Sequence, residues 1–207
     1  NSNYSEMGSQ ESRMKERLLY LILSNREGEV SNFLTEHPEM VNTTLVEGVT
    51  NPMCRATYLG HKGIVAILLK YGADINIRSS DGRTPLIWTG FRNNCEVAEY
   101  LLDQGAQIDL EDNEGWNALD WAVIRMNYQV ALLFKKRGMV LRDKEMYLKN
   151  LWHEYDLDLF FKCLDEERDQ VHYEQFYEEI KRRRAEWYNK DLVVDVRESW
   201  KNWGWRQ

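Results

Sequence analysis

Candidate catalytic residues are few in this chain of 207 residues. Cys54 and His61 could act as a nucleophile and a base, but they lie seven residues apart and no third residue orients them. A core role is therefore the favoured interpretation for both side chains. The sequence contains no glycine-rich phosphate loop and no GxSxG or HExxH motif. We expect no enzymatic activity, no cofactor and no small-molecule substrate.

Metal-binding patterns are equally weak. The four histidines are not paired at the spacing of metal ligands: His37, His61, His153 and His172. Asp156 and Asp158 begin like a calcium-binding loop, but the glycine that such a loop needs at its sixth position is missing. The sequence therefore predicts no metal site.

The charge of the chain bears on the kind of partner. A net charge of −7 and an isoelectric point near 5.3 argue against nucleic acid as the main partner, because phosphate binding needs a basic surface. One basic run, residues 181–184, could be a localisation signal or a phosphate-binding patch. A solvated helix face is the favoured interpretation, because Glu178, Glu179 and Glu186 can neutralise the run.

Cysteine usage and hydropathy indicate the compartment. Cys54, Cys95 and Cys163 lie far apart without a CxxC motif, which is typical of reduced thiols in an intracellular protein. No apolar run approaches the roughly 20 residues that a membrane span requires. We expect an intracellular, preferably cytoplasmic, protein. Because the sequence begins with Asn1 rather than Met, a mitochondrial location after loss of a targeting peptide is the alternative.

A repeat with a step of 33 residues organises most of the chain. In one unit, Thr84 can cap a helix, Pro85 suits its first position, and Gly105 ends the following helix. Equivalent residues recur at this step in five sets: Gly72, Gly105 and Gly138; Pro52 and Pro85; Gly82 and Gly115; Ile64, Val97 and Val130; Leu68, Leu101 and Phe134. A two-helix unit cannot bury its apolar face alone, so neighbouring units must stack.

The period and two motifs identify the type of repeat. A TPL start at Thr84 and the stretch GHKGIVAILLKYGADIN, residues 60–76, accompany the step of 33 residues. On these features the sequence resembles the ankyrin-repeat family. The resemblance implies an all-α solenoid of helix-turn-helix units with hairpin loops over residues 13–142, in which three clear repeats follow a degenerate one. Residues 1–12 are expected to form a polar N-terminal arm.

Residues 143–207 are expected to form a helical C-terminal extension. Between Gly138 and Gly204 the sequence has no glycine or proline, which favours long helices. We predict them at Lys144–Trp152, Leu157–Glu167 and Tyr173–Lys190, with a shorter one near Val193–Trp203. The extension holds 13 of the 25 aromatic residues. Because no single helix face accommodates Trp200, Trp203 and Trp205, we expect this tail to act as an anchor.

The resemblance also implies a partner-binding surface, since ankyrin proteins usually hold partners with hairpin ends and the exposed sides of their first helices. The corresponding residues here are Arg83 and Trp116 near hairpin ends, then Tyr58, Phe91 and Ile124, followed by Leu59, Arg92 and Arg125. Aromatic and arginine side chains are typical of interface hot spots. The alternative is that these residues pack under the C-terminal segment of the same chain. Trp88 and Trp121 are expected to fill the interior between helices.

Two functions are consistent with these patterns. In the first, the chain is an accessory subunit of a larger multiprotein assembly, docked through its repeats and its Trp-rich tail. In the second, it is a free cytosolic adaptor that binds a peptide or a signalling partner, and the tail folds back as a cap. The first is preferred, because a Trp-rich terminus requires a surface to cover it. In either case the partner is a protein.

Overall fold

Helices are the regular elements of this chain wherever the structure, a computed structural model, describes it. The described residues are 2–45, 50–143, 146–147 and 154–165, and the single residues 175, 178 and 182. The α-helices in these ranges are α1 Ser2–Leu23, α2 Glu27–Glu36, α3 Pro52–Leu59, α4 Lys62–Lys70, α5 Pro85–Arg92, α6 Cys95–Asp103, α7 Ala118–Ile124, α8 Tyr128–Lys136 and α9 Glu154–Asp165. A 3-10 helix, Pro38–Asn42, follows α2. The all-α prediction is confirmed.

The first eight helices form two layers. One layer contains the first helix of each unit, with α1 against α3, α3 against α5, and α5 against α7. The other contains the second helices, with α2 against α4, α4 against α6, and α6 against α8. The recurring positions at Leu68, Leu101 and Phe134 are fully buried. This stacking is the solenoid that the 33-residue step predicted.

Local signals set the ends of the repeat helices. Asn51 Oδ1 accepts a hydrogen bond from the Cys54 amide at 2.9 Å, and Asn117 Oδ1 accepts one from Asp120 at the same distance. Thr84 Oγ1 accepts from the Ile87 amide at 3.3 Å. Each of these side chains satisfies an amide that lacks a partner within its helix. The predicted cap at Thr84 is confirmed, and Asn51 and Asn117 cap the equivalent helices of the neighbouring units.

The N-terminal helix begins earlier than predicted. Residues 1–12 were expected to form an arm and the helix to start at Arg13, whereas α1 begins at Ser2. The inward side chains Leu18, Leu21 and Ile22 are buried as expected. They fix the helix at its C-terminal half, and extending a formed helix costs far less than starting one. The polar residues 10–13 are accordingly exposed although they belong to α1.

The chain divides into two compact units, residues 1–164 and 165–207. Helix α9 begins three residues before the predicted Leu157, and its last residue, Asp165, is the first residue of the second unit. Met146 and Tyr147, within the predicted helix Lys144–Trp152, are helical. The predicted helices Tyr173–Lys190 and Val193–Trp203 lie almost entirely outside the described residues. Within the described ranges, no helix combines the length and hydropathy that a bilayer span demands.

Replacing Gly90 with alanine should destabilise the stack. A Cβ at this position would lie 2.2 Å from the Ala118 carbonyl oxygen, where α5 and α7 approach most closely. We expect Gly90→Ala to lower the free energy of unfolding in urea by about 1–3 kcal/mol or more. Gly28→Ala is the control, because a Cβ there meets nothing within 4 Å. A Gly90→Ala variant as stable as the control would contradict this close approach.

Candidate protein-binding face

The exposed side of α3, α5 and α7, together with the hairpin turns beside it, is the candidate binding surface, which we call the groove face. Its central feature is Arg83, which follows a turn closed by a hydrogen bond from the Gly82 amide to the Ser79 carbonyl at 2.9 Å. Gly82 has φ of 78°, a conformation that a side chain would strain. This turn directs Arg83 back over the helices rather than into solvent.

Arg83 lies among three aromatic rings. Its Cζ atom is 4.3 Å from the centre of the Trp121 ring, 4.9 Å from that of Trp88 and 5.4 Å from that of Phe91. Only 3% of its surface is exposed. Arg83 is predicted at the partner surface, but the structure places it beneath that surface, where it supports the aromatic side chains.

The charge of Arg83 is balanced by carboxylates. Its Nε atom lies 3.3 Å from Asp112 Oδ2, and its other guanidinium nitrogens lie 3.1 Å from Asp81 and 3.7 Å from Glu114. Asp112 is itself buried, and its Oδ2 atom also accepts a hydrogen bond from Trp121 Nε1 at 2.7 Å. A buried charge is tolerated when it is paired and hydrogen-bonded in this way. Asp112 thus fixes both Arg83 and Trp121.

The aromatic residues form a continuous row across α3, α5 and α7. The ring centres of Tyr58 and Trp88 are 5.3 Å apart, those of Trp88 and Phe91 5.5 Å, and those of Phe91 and Trp121 5.2 Å. All three pairs meet edge to face, the arrangement that the charge distribution of aromatic rings favours. Trp88 and Trp121 are buried, as predicted, whereas Tyr58 and Phe91 are half-buried.

Two exposed arginines cover this row. Arg92 places its Cζ atom 4.6 Å from the centre of the Tyr58 ring, and Arg125 lies 4.7 Å from that of Phe91. A guanidinium over the face of an aromatic ring is attracted by the charge distribution of the ring, which restricts the motion of the side chain. The structure therefore brings together four of the predicted residues, Tyr58, Phe91, Arg92 and Arg125, on one face.

The other predicted residues are distributed differently. Leu59 and Ile124 are half-buried at the ends of α3 and α7. The ring of Trp116 stacks on that of Tyr147 at a centre-to-centre distance of 6.1 Å. For this residue the structure agrees with the alternative, in which it packs against the following segment of the same chain. Trp200, Trp203 and Trp205 lie outside the described residues.

Cys54 and His61 do not form a catalytic pair. Cys54 is fully buried, and its thiol donates towards the carbonyl oxygens of Ile77 and Arg83 at 3.7 and 3.6 Å. Burial raises the pKa of Cys54 to about 12, so the thiolate that a nucleophile requires is not formed near neutral pH. Burial lowers the pKa of His61. In the part of the chain that the structure describes, no cluster of His, Cys, Asp and Glu could hold a metal ion.

The last repeat contacts the segment that follows it. Lys135 Nζ donates a hydrogen bond to the Leu164 carbonyl at 2.9 Å, and Tyr128 donates one to Cys163 at the same distance. Tyr147 donates to Asp120 Oδ1 at 2.7 Å, and Arg142 Nε lies 3.1 Å from Asp120 Oδ2. A charged residue at position 135, where the earlier repeats have leucine, thus marks the end of the array.

Replacing Tyr147 with phenylalanine tests this contact. Because Asp120 is buried and would lose one donor, we expect the free energy of unfolding at pH 7 to fall by about 1–3 kcal/mol. Burial and then Asp120 raise the pKa of Tyr147 above its usual value of 10.0. The folded state therefore keeps a proton that the unfolded state releases, and stability is lost as the pH rises above 10. Urea titrations on both sides of pH 10 should show less of this loss in the variant.

Asp112 and Tyr147 were missed by the sequence analysis. Asp112 occupies the 33-residue slot of Ser79, and a carboxylate there, together with Asp81, could have indicated a partner for Arg83. Tyr147 follows the last repeat with no motif around it, so no sequence signal pointed to it.

The repeat is also recognised by comparison with known families. Residues 53–144 match the family model described as ankyrin repeats, in three copies. Residues 53–144 are therefore ankyrin repeats, which confirms the resemblance over this part of the chain. Ankyrin repeats are modules for protein–protein interaction, and the family is typically non-enzymatic. No curated protein matches the sequence.

Proposed function

We propose that this chain binds a protein partner on its groove face, with Tyr58, Phe91, Arg92 and Arg125 at the centre of the contact. The observation that carries the proposal is the pair of exposed arginines stacked on half-buried aromatic rings. Rigid aromatic and arginine side chains lose little conformational freedom on binding and dominate interface energies. Leu59 and Ile124 extend the face, while Arg83 supports it from beneath.

The partner is proposed to be part of a larger multiprotein assembly, to which the chain belongs as an accessory subunit. Support comes from the Trp-rich tail, whose Trp200, Trp203 and Trp205 offer a large apolar area for docking. Three free cysteines favour a reducing compartment, which makes the cytoplasm the preferred location and the mitochondrion the alternative. A free adaptor that binds a peptide is the second candidate, favoured by the preorganised arginines.

Co-purification tests the groove face. A tagged chain carrying Phe91→Ala and Arg92→Gln should retain less than about a tenth of the partner held by the unchanged chain, as loss of hot-spot contacts predicts. Lys136→Gln is the matched control, since this exposed residue lies at the end of α8 in the other layer. Circular dichroism should show the same helix content in all three proteins. Equal partner recovery from both variants would exclude this face.

Deleting residues 200–207 separates the two candidate roles. The repeats should stay folded, because no 33-residue unit is altered, but an accessory subunit anchored by its tail should leave the assembly. Full recovery of the assembly with the truncated chain would contradict anchoring and favour the adaptor. Unfolding of the repeats would instead indicate that the tail stabilises them.

A further inference from the structure

The ion pairs of the described residues are unevenly distributed. Arg83, Arg137 and Arg142 each have at least two carboxylates within 4.0 Å. Arg55 and Arg92, both beside the groove face, have none among the described residues, although the chain has 34 acidic residues and only 27 lysines and arginines. On and beside the groove face, two arginines thus carry a charge that no carboxylate of the described residues balances within 4.0 Å.

These arginines surround one aromatic ring. The Cζ atoms of Arg55 and Arg92 lie 5.9 and 4.6 Å from the centre of the Tyr58 ring. Arg125 lies over the Phe91 ring nearby, and burial, followed by the positive charge of Arg92, lowers the pKa of Arg125. Like charges on neighbouring side chains repel each other, and an anion placed among them would relieve the repulsion.

Two buried hydrogen-bond donors in the same cluster have no acceptor among the residues that the structure describes. They are Arg55 Nε and the indole Nε1 of Trp88. The Trp88 ring lies between Tyr58 and Phe91, and 7% of the residue is exposed. Leaving a buried donor unpaired is costly, so the native fold rarely does it without a reason. A ligand rich in oxygen acceptors would provide that reason.

The chemistry of these groups defines the ligand. Guanidinium groups bind carboxylates through two parallel hydrogen bonds, and the contact with Tyr58 already restricts the motion of Arg92. A nucleic acid is disfavoured because the net charge of −7 would repel a long polyanion. We propose that the protein partner inserts an acidic segment into the groove face, with its Asp or Glu carboxylates on Arg55 and Arg92. This inference rests on the proposed function and specifies the chemistry of its partner.

A random peptide library displayed on phage, selected on the full-length chain, tests the inference without knowledge of the partner. The selected peptides should be enriched in Asp and Glu. A synthetic peptide of the most frequent sequence should bind Arg92→Gln at least about tenfold more weakly than the unchanged chain. Its binding should also weaken as salt is added, because carboxylate–guanidinium attraction is screened. Arg137→Gln, which removes the same charge from the other layer, should bind the peptide normally.

Three outcomes would overturn the inference in distinguishable ways. In the first, the selected peptides are not enriched in acidic residues and bind Arg92→Gln normally, but they do not bind Phe91→Ala. The groove face then binds proteins of another chemistry, and the proposed function stands. If the peptides bind Phe91→Ala and Arg92→Gln normally, both the acidic partner and the groove face are excluded as the peptide site. If Arg137→Gln weakens binding as much as Arg92→Gln does, only the overall charge matters.

Discussion

Replacing Trp121 with alanine should lower the free energy of unfolding by about 3–5 kcal/mol, the usual cost of removing a large buried aromatic side chain. Trp121 is buried and packs edge to face with Phe91. Its ring centre lies 4.3 Å from the Cζ atom of Arg83. Its indole also donates a hydrogen bond to Asp112. The substitution leaves a cavity, and it also removes a donor from a buried carboxylate. Urea denaturation followed by circular dichroism measures the change.

Trp121→Phe separates these two effects. Phenylalanine keeps most of the ring but loses the N–H group, so this variant should lose only about 1–3 kcal/mol. Trp121→Ala should also reduce partner binding, because Phe91 and Arg83 lose a supporting ring. The loss should be larger than the fraction of unfolded protein alone would cause. A loss under about 1 kcal/mol for the alanine variant would contradict the position of Trp121 in the core.

Replacing Leu101 with alanine should cost about 2–5 kcal/mol, because the side chain is fully buried in α6 at a position that recurs in every clear repeat. Leu23→Ala is the matched control, since Leu23 is 46% exposed at the end of α1. The control should lose less than about 1 kcal/mol. Both values come from the same urea titrations.

The Leu101 result also tests the register of the repeats. The register follows from the 33-residue step, and a shift by one residue would move Leu101 away from the core. Equal losses for Leu101→Ala and Leu23→Ala would therefore contradict the stacking of α4, α6 and α8 around this position.

The repeats could be predicted from the sequence because their causes are local. A proline after a capping side chain starts a helix, a glycine with positive φ ends one, and the apolar step fixes the buried side. Asn51 and Thr84 precede Pro52 and Pro85 and follow the first rule, whereas Asn117 caps α7 without a proline after it. The start of α1 was missed, because helix extension into polar residues leaves no apolar pattern in the sequence.

The groove face could be predicted only in part. The family resemblance pointed to Tyr58, Phe91, Arg92 and Arg125. It did not distinguish residues exposed on the groove face from buried residues, such as Arg83, that support it. Arg83 is buried because Asp112, 29 residues later in the chain, reaches it from the next hairpin. Such a pairing depends on how adjacent repeats stack, and neither residue alone reveals it. The stacking of Trp116 on Tyr147 has the same origin, since a residue beyond the last repeat supplies the partner ring.

The net charge describes the chain as a whole but does not describe the groove face. The net charge of −7 describes an acidic protein, whereas the groove face gathers Arg55, Arg92 and Arg125 around two aromatic rings. Two of these, Arg92 and Arg125, occupy the same slot in successive repeats, and stacking places them side by side. A repeat architecture thus converts a sequence periodicity into a local concentration of charge.

Site-specific photo-cross-linking tests the central claim, that the groove face holds a protein partner, most directly. A benzoylphenylalanine residue at position 124 lies on this face at the end of α7, and one at position 136 lies at the end of α8 in the other layer. Irradiation of the assembled complex should join the partner to position 124 and leave position 136 unreacted. A cross-link from position 136 with none from position 124 would contradict the account.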